Sequence, residues 1–196
     1  MANSLYSMND VFRETLKSVS KDSDSPVSCD DLAVARASIV LGSAQVNLGM
    51  IEQAEHADGI AIYSEEQLAQ ARSNCIEGCR AVYSAVGSFN TIADHYGNHR
   101  LGPGLDLSRT PDEVADVMKA YFDAKPGRPN YMAEADTRFA QNLLIFTKAA
   151  GDSILPKKEQ DKTEGKTLRE RIGAQFDFGS SVTVGDGERE ARSIVD

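Results

Sequence analysis

The 196-residue sequence has no tryptophan, three histidines and three cysteines. Three cysteines are too few and too odd in number for a disulfide framework. The palette for acid–base or nucleophilic catalysis is thin, and the motifs that carry such chemistry are missing. There is no Gly-x-Ser-x-Gly elbow, no phosphate loop ending in Gly-Lys-Ser/Thr, no His-Glu-x-x-His and no Gly-x-Gly-x-x-Gly between a strand and a helix. Gly102-Pro103-Gly104 lacks the flanking strand that would give it meaning. Basic residues are in deficit, 21 against 30 acidic ones for a net charge of −9, which argues against a sequence-independent grip on nucleic-acid phosphates by the chain as a whole. The sequence opens without the charged, apolar and small-residue regions of a signal peptide. Its apolar stretches are interrupted by Ser, Gly, Gln or Asn, short of the roughly 20 residues a membrane span requires. These absences lead to the expectation of a cytoplasmic or virion-borne protein with no membrane partner. No internal repeat or low-complexity tract is present.

What remains is ordinary globular composition, 41% apolar and 26% charged. Helix start signals recur. Ser28 with Asp31, Ser64 with Gln67, and Thr110 with Glu113 behind Pro111 are reciprocal caps, and Ser7 with Asp10 and Thr167 with Glu170 are weaker copies. Between them apolar residues step at helical spacing, as in Val114, Val117, Met118, Tyr121 and Phe122, and no run alternates as a strand would. The spacing predicts helices over 8–21, 29–57, 65–96, 111–124 and 131–150. Gly59, Gly97, Gly127 and Gly151 fall where helices should stop, and Pro126 and Pro129 sharpen one of the breaks.

The fold class expected is therefore all-α: a helical bundle built on a long antiparallel helix hairpin, with extended or partly disordered N- and C-terminal segments. The divisions are an N-terminal helix or arm over 1–27, the bundle over 28–151 and a charged, polar arm over 152–196. Within that arm a short helix near Leu168–Gln175 would dock through Phe176 and Phe178.

Gly42 and Gly49 inside the second helix each cost roughly 1 kcal/mol relative to Ala, which calls for something to offset them. Ala35, Gly42 and Gly49 are spaced by seven, beside Leu32, Ile39 and Val46; Ala71, Gly78 and Ala85 repeat the pattern beside Cys75, Val82 and Phe89. Two such small-residue lines, joined across Gly59–Tyr63, predict helices whose backbones approach closely, with a kink at Gly42-Ser43 as the alternative.

Candidate sites are few. Cys75 and Cys79, one turn apart on the apolar line, read as core fillers rather than metal ligands, and Cys29 stands alone at a helix start. Glu52, Glu55, His56, His95 and His99 are the candidate metal ligands, but the Glu-x-x-His spacing of a di-metal bundle is missing, with Gln53 and Ile92 where Glu is needed. Charged helix ends explain them more simply. The connection from Gly97 to Arg109 is long and aperiodic. Its Arg100 and Arg109, with Arg128 in the next break, would bind a phosphate or a partner's carboxylate if they cluster, or else tie the loop back to helix ends. Charge is uneven too: residues 1–98 hold 6 basic and 13 acidic residues, and Lys148–Arg171 hold 7 and 5. A solvated face accounts for this as well as a binding surface does.

The functional expectation is a non-enzymatic structural or assembly protein, a self-associating helical subunit of the kind found in viral particles or filaments, with nucleic acid left open as a contact of the loop arginines. It requires no cofactor. Its partner would be a second copy or another protein, reached in part by terminal segments carrying Leu5, Tyr6, Phe176, Phe178, Ile194 and Val195. The alternatives are a metal-binding bundle enzyme or carrier using the Glu and His residues above, and an effector offering its acidic half to a basic surface.

Overall fold

The cap signals begin helices where they should. In a computed structural model, which describes residues 7–56, 61–124 and 132–154, helices α1 (Met8–Lys21), α2 (Cys29–Ala44), α3 (Leu48–Glu55), α4 (Glu65–His95), α5 (Pro111–Asp123) and α6 (Glu134–Ile154) follow in order. Among the described residues there is no strand, and the all-α class holds. The described residues belong to one unit ending at Pro156. Ser28 with Asp31, Ser64 with Gln67 and Thr110 with Glu113 form complete capping boxes, and Ser7 caps α1 through the Asp10 N–H. Asp31 and Glu113 are held below the ordinary carboxylate range, because the cap residue's backbone N–H and hydroxyl both donate to the charged form. The expectations at Leu5, Tyr6, Gly59, Pro126, Gly127, Arg128, Pro129, Thr167, Leu168–Gln175, Phe176, Phe178, Ile194 and Val195 lie outside the described residues.

The second expected helix is two. The chain leaves helical geometry at Gln45–Asn47 and restarts as α3, although apolar spacing runs through the break. The gain is a change of core. Leu32, Ala35 and Ile39 of α2 pack with Val82, Val86 and Phe89 of α4, and with Val11 and Phe12 of α1. Ile51 of α3 joins a second cluster with Ala71, Cys75, Cys79, Val114, Met118 and Leu143. The alignment of Ala35, Gly42 and Gly49 accordingly ends at Gly42, and Gly49 is exposed with nothing within 4 Å of a Cβ placed on it.

Of the remaining small residues, Gly42 and Gly78 make a close backbone approach. A Cβ on Gly42 would meet the Gly78 carbonyl oxygen at 2.7 Å, and one on Gly78 would meet the Gly42 carbonyl oxygen at 2.4 Å. Ala35, Ala71 and Ala85 are buried. Gly97 ends α4 with φ of 65°, its N–H donating to the Asp94 carbonyl and the Asn98 N–H to the Ala93 carbonyl, the paired bonds of a left-handed helix stop. Gly151 does not end a helix: α6 continues to Ile154, and Gly151 lets Ser43 of α2 come close, 3.1 Å from a Cβ placed there.

Candidate functional site

The connection between α4 and α5 is held at two points by side chains seven residues apart on α4. Buried Asn90 donates its amide to the Leu101 carbonyl (2.9 Å) and accepts from the Leu101 N–H (2.8 Å). The Tyr83 hydroxyl does the same for Arg109, donating to its carbonyl (2.8 Å) and accepting from its N–H (3.0 Å). Burial raises the Tyr83 phenol, which keeps it a donor. Gly102 adopts φ of 55° against Phe146, and Asp106 accepts from the Ser108 N–H. Neither Tyr83 nor Asn90 is evident as an anchor in the sequence. The available signal is a polar atom on an apolar helix face, since a buried amide or phenol needs a partner.

Arg109 is committed inside the fold. Its Nη2 pairs with Asp136 of α6 at 2.7 Å, and its guanidinium lies 4.7 Å from the centre of the Phe139 ring. Arg100 is exposed and pairs through Nε with Asp94 at 3.4 Å. Both arginines thus tie the loop to helices, and Arg128 lies outside the described residues. Arg100 and Arg109 share one connection in the sequence, but the partners that fix them, Asp94 of α4 and Asp136 of α6, come from different helices.

The five metal-ligand candidates do not converge. His56 Nδ1 lies 2.7 Å from the Glu52 carbonyl oxygen in its own helix, His99 Nδ1 lies 3.0 Å from Glu14 of α1, and His95 meets Tyr96 edge-on. Among the described residues no three His, Cys, Asp or Glu side chains are placed to hold one ion.

Cys75 and Cys79 are fully buried, and burial pushes both thiols up to about 12. A thiol in that state is not a nucleophile at neutral pH. Cys29 is exposed. The folded protein should therefore release one equivalent of thionitrobenzoate from Ellman's reagent at pH 8 and three in denaturant; rapid reaction of all three in the folded state would contradict this burial. The same shift has a stability consequence. Below pH 9 the two thiols are protonated whether the chain is folded or not. Between 9 and about 12 only the unfolded chain loses the protons, so stability falls as pH rises, by up to roughly 1.4 kcal/mol per unit for each thiol. A Cys75→Ala/Cys79→Ala variant, weaker at pH 8, should lose less stability between pH 8 and 10.5 than the parent, as read by urea unfolding.

The last surface of note is on α2. Val34 and Leu41 are 65% and 64% exposed, and Ala33, Ala37 and Ala44 beside them are exposed as well. Leu16 of α1, Ile62 in the connection before α4 and Ile145 of α6 are large apolar residues exposed elsewhere. This corrects the expectation that no stretch approaches a membrane span: Cys29–Glu55 is long and apolar enough by length and composition. Two features make it a poor span. The helix breaks at Gln45–Asn47, and the 16 residues of α2 rise about 24 Å against a hydrocarbon core of about 30 Å. Comparison with protein families, curated proteins and solved structures finds no match.

Proposed function

We propose that this chain is an assembly protein, a helical subunit that works by binding copies of itself rather than by catalysis. The observation that carries the reading is α2, which is apolar on the side it packs against α4 and also on the side it turns to solvent. A helix apolar all round belongs in an interior, and a contiguous apolar face left in water marks a contact surface. The charge balance points the same way. A chain of net −9 repels its copies in general, so association is confined to faces without charge, and from Leu32 to Ile51 the one charged residue is Arg36. Loop arginines play no part in the reading, since Arg100 and Arg109 already have carboxylate partners.

Light scattering on the full chain tests it. The weight-average mass should rise above 21.2 kDa as concentration increases. A mass fixed at one chain at every concentration would reject the reading, and electron micrographs of the concentrated protein would separate filaments from closed particles.

A further inference from the structure

We infer that the solvent face of α2 is a two-fold homodimer seam in which the α2 helices of two copies pack antiparallel, with Leu41 of each seated over Ala37 of the other; this rests on the self-association proposed above. Val34, Ala37, Leu41 and Ala44 are spaced three, four and three apart, the repeat that keeps one narrow stripe facing a partner helix. All four are exposed, while Leu32, Ala35, Ile39 and Gly42 on the opposite side are buried. Arg36 lies off the stripe, its Nη2 3.4 Å from Asn9 Oδ1 of α1, so the stripe between Val34 and Ala44 is free of charge.

The order of sizes selects the partner. Along the stripe the side chains run large, small, large, small. Reversed, as a dyad between Ala37 and Leu41 requires, the same stripe places Val34 opposite Ala44 and Leu41 opposite Ala37, so each large side chain meets a small one in four consecutive layers. A parallel pair in register would set Leu41 on Leu41 and leave Ala37 on Ala37 with a gap between them. A stripe complementary to its own reverse favours a second copy of this chain over an unrelated protein. Size agrees with a modest dimer: two large side chains about two-thirds exposed, with two exposed alanines between and beside them, cover less than the roughly 800 Å² per partner of a standard interface. A seam that small fits a concentration-dependent dimer rather than an obligate one.

The test is sedimentation velocity on the full chain from micromolar to near-millimolar concentration, alongside flotation with uncharged phosphatidylcholine vesicles. Val34→Glu/Leu41→Glu should weaken dimerisation at least tenfold while leaving the thermal melt of the monomer unchanged. Ala37→Leu should crowd the layer in which positions 37 and 41 meet, by setting leucine against leucine, and Leu41→Ala should empty it, each weakening the dimer. The exchange Ala37→Leu/Leu41→Ala restores one large and one small side chain per layer and should recover most of the affinity. Failure of the exchange to rescue would overturn the antiparallel register. If the parent associates but the glutamate variant associates equally, α2 is not the seam, while the assembly reading stands on another surface. A parent that stays monomeric defeats both proposals. Flotation of a monomeric parent, abolished by the glutamates, would replace the second copy with lipid.

Discussion

Gly78→Leu is expected to lower the melting temperature by roughly 6 to 12 °C, the shift that about 3 kcal/mol produces in a chain of this length. The reason is a backbone contact. A Cβ at position 78 would lie 2.4 Å from the Gly42 carbonyl oxygen and 3.3 Å from Gln45 Cβ and Val46 Cγ2. A backbone carbonyl in the last turn of α2 cannot swing aside as a lysine tip can, so the end of α2 must move away from α4, and the neighbouring contacts of Ile39 with Val82 and Val86 loosen with it. Two terms compete in the smaller change, Gly78→Ala. Removing glycine from a helix interior gains up to about 1 kcal/mol, while overpacking a rigid site costs roughly 1 to 3 kcal/mol or more, so the net effect remains destabilising. Gly87 supplies the internal control. It lies in the same helix with nothing within 4 Å of a placed Cβ, so Gly87→Ala should be neutral or stabilising by up to about 1 kcal/mol. Urea unfolding of the three variants checks the argument. A Gly78→Leu protein as stable as the parent would show that α2 and α4 are not held at this distance in solution.

These glycines also show what the sequence could tell. Residues on one helix face seven apart announce a close approach, and Gly42 with Gly78 follow that logic because both helices are regular there. Gly49 does not, because the line requires a straight helix through Gln45–Asn47, and periodicity cannot register a break that falls between two stretches of correct spacing. Caps are local chemistry, settled within three or four residues, so Ser28, Ser64 and Thr110 begin their helices as expected. Helix ends are less local. Gly97 stops α4 by hydrogen bonds in its own turn, whereas Gly151 serves a contact with Ser43, far away in the sequence, and α6 continues through it. The site residues divide along the same line. Arg109 could be singled out from its loop, but its commitment to Asp136 and Phe139 depends on α6. The exposed side of α2 was present in the sequence as Val34, Ala37, Leu41 and Ala44. It could be recognised as surplus only once α4 was seen to cover the other side.

Asn90 is where the α4–α5 connection is most vulnerable to a single substitution. Asn90→Ala should cost about 3 kcal/mol, because it removes two hydrogen bonds and leaves both the N–H and the C=O of Leu101, a residue only 2% exposed, without partners in the interior. Tyr83 continues to hold Arg109, so the loss should be local to the first half of the loop, and hydrogen exchange should rise at Leu101 well before it rises in α4. Asn90→Asp distinguishes the bonding from the shape. An ionised aspartate accepts from the Leu101 N–H but has no proton for the Leu101 carbonyl, and burial opposes its charge, so its carboxyl pKa should be raised. A raised folded-state pKa means that the folded chain holds the proton more tightly than the unfolded one. The variant's deficit relative to the parent should therefore shrink as pH falls through that raised value, where the protonated acid regains a donor, and should be largest at neutral pH. A deficit that is the same at acidic and at neutral pH, read by urea unfolding of both proteins, would mean that Asn90 fills space without clamping the loop.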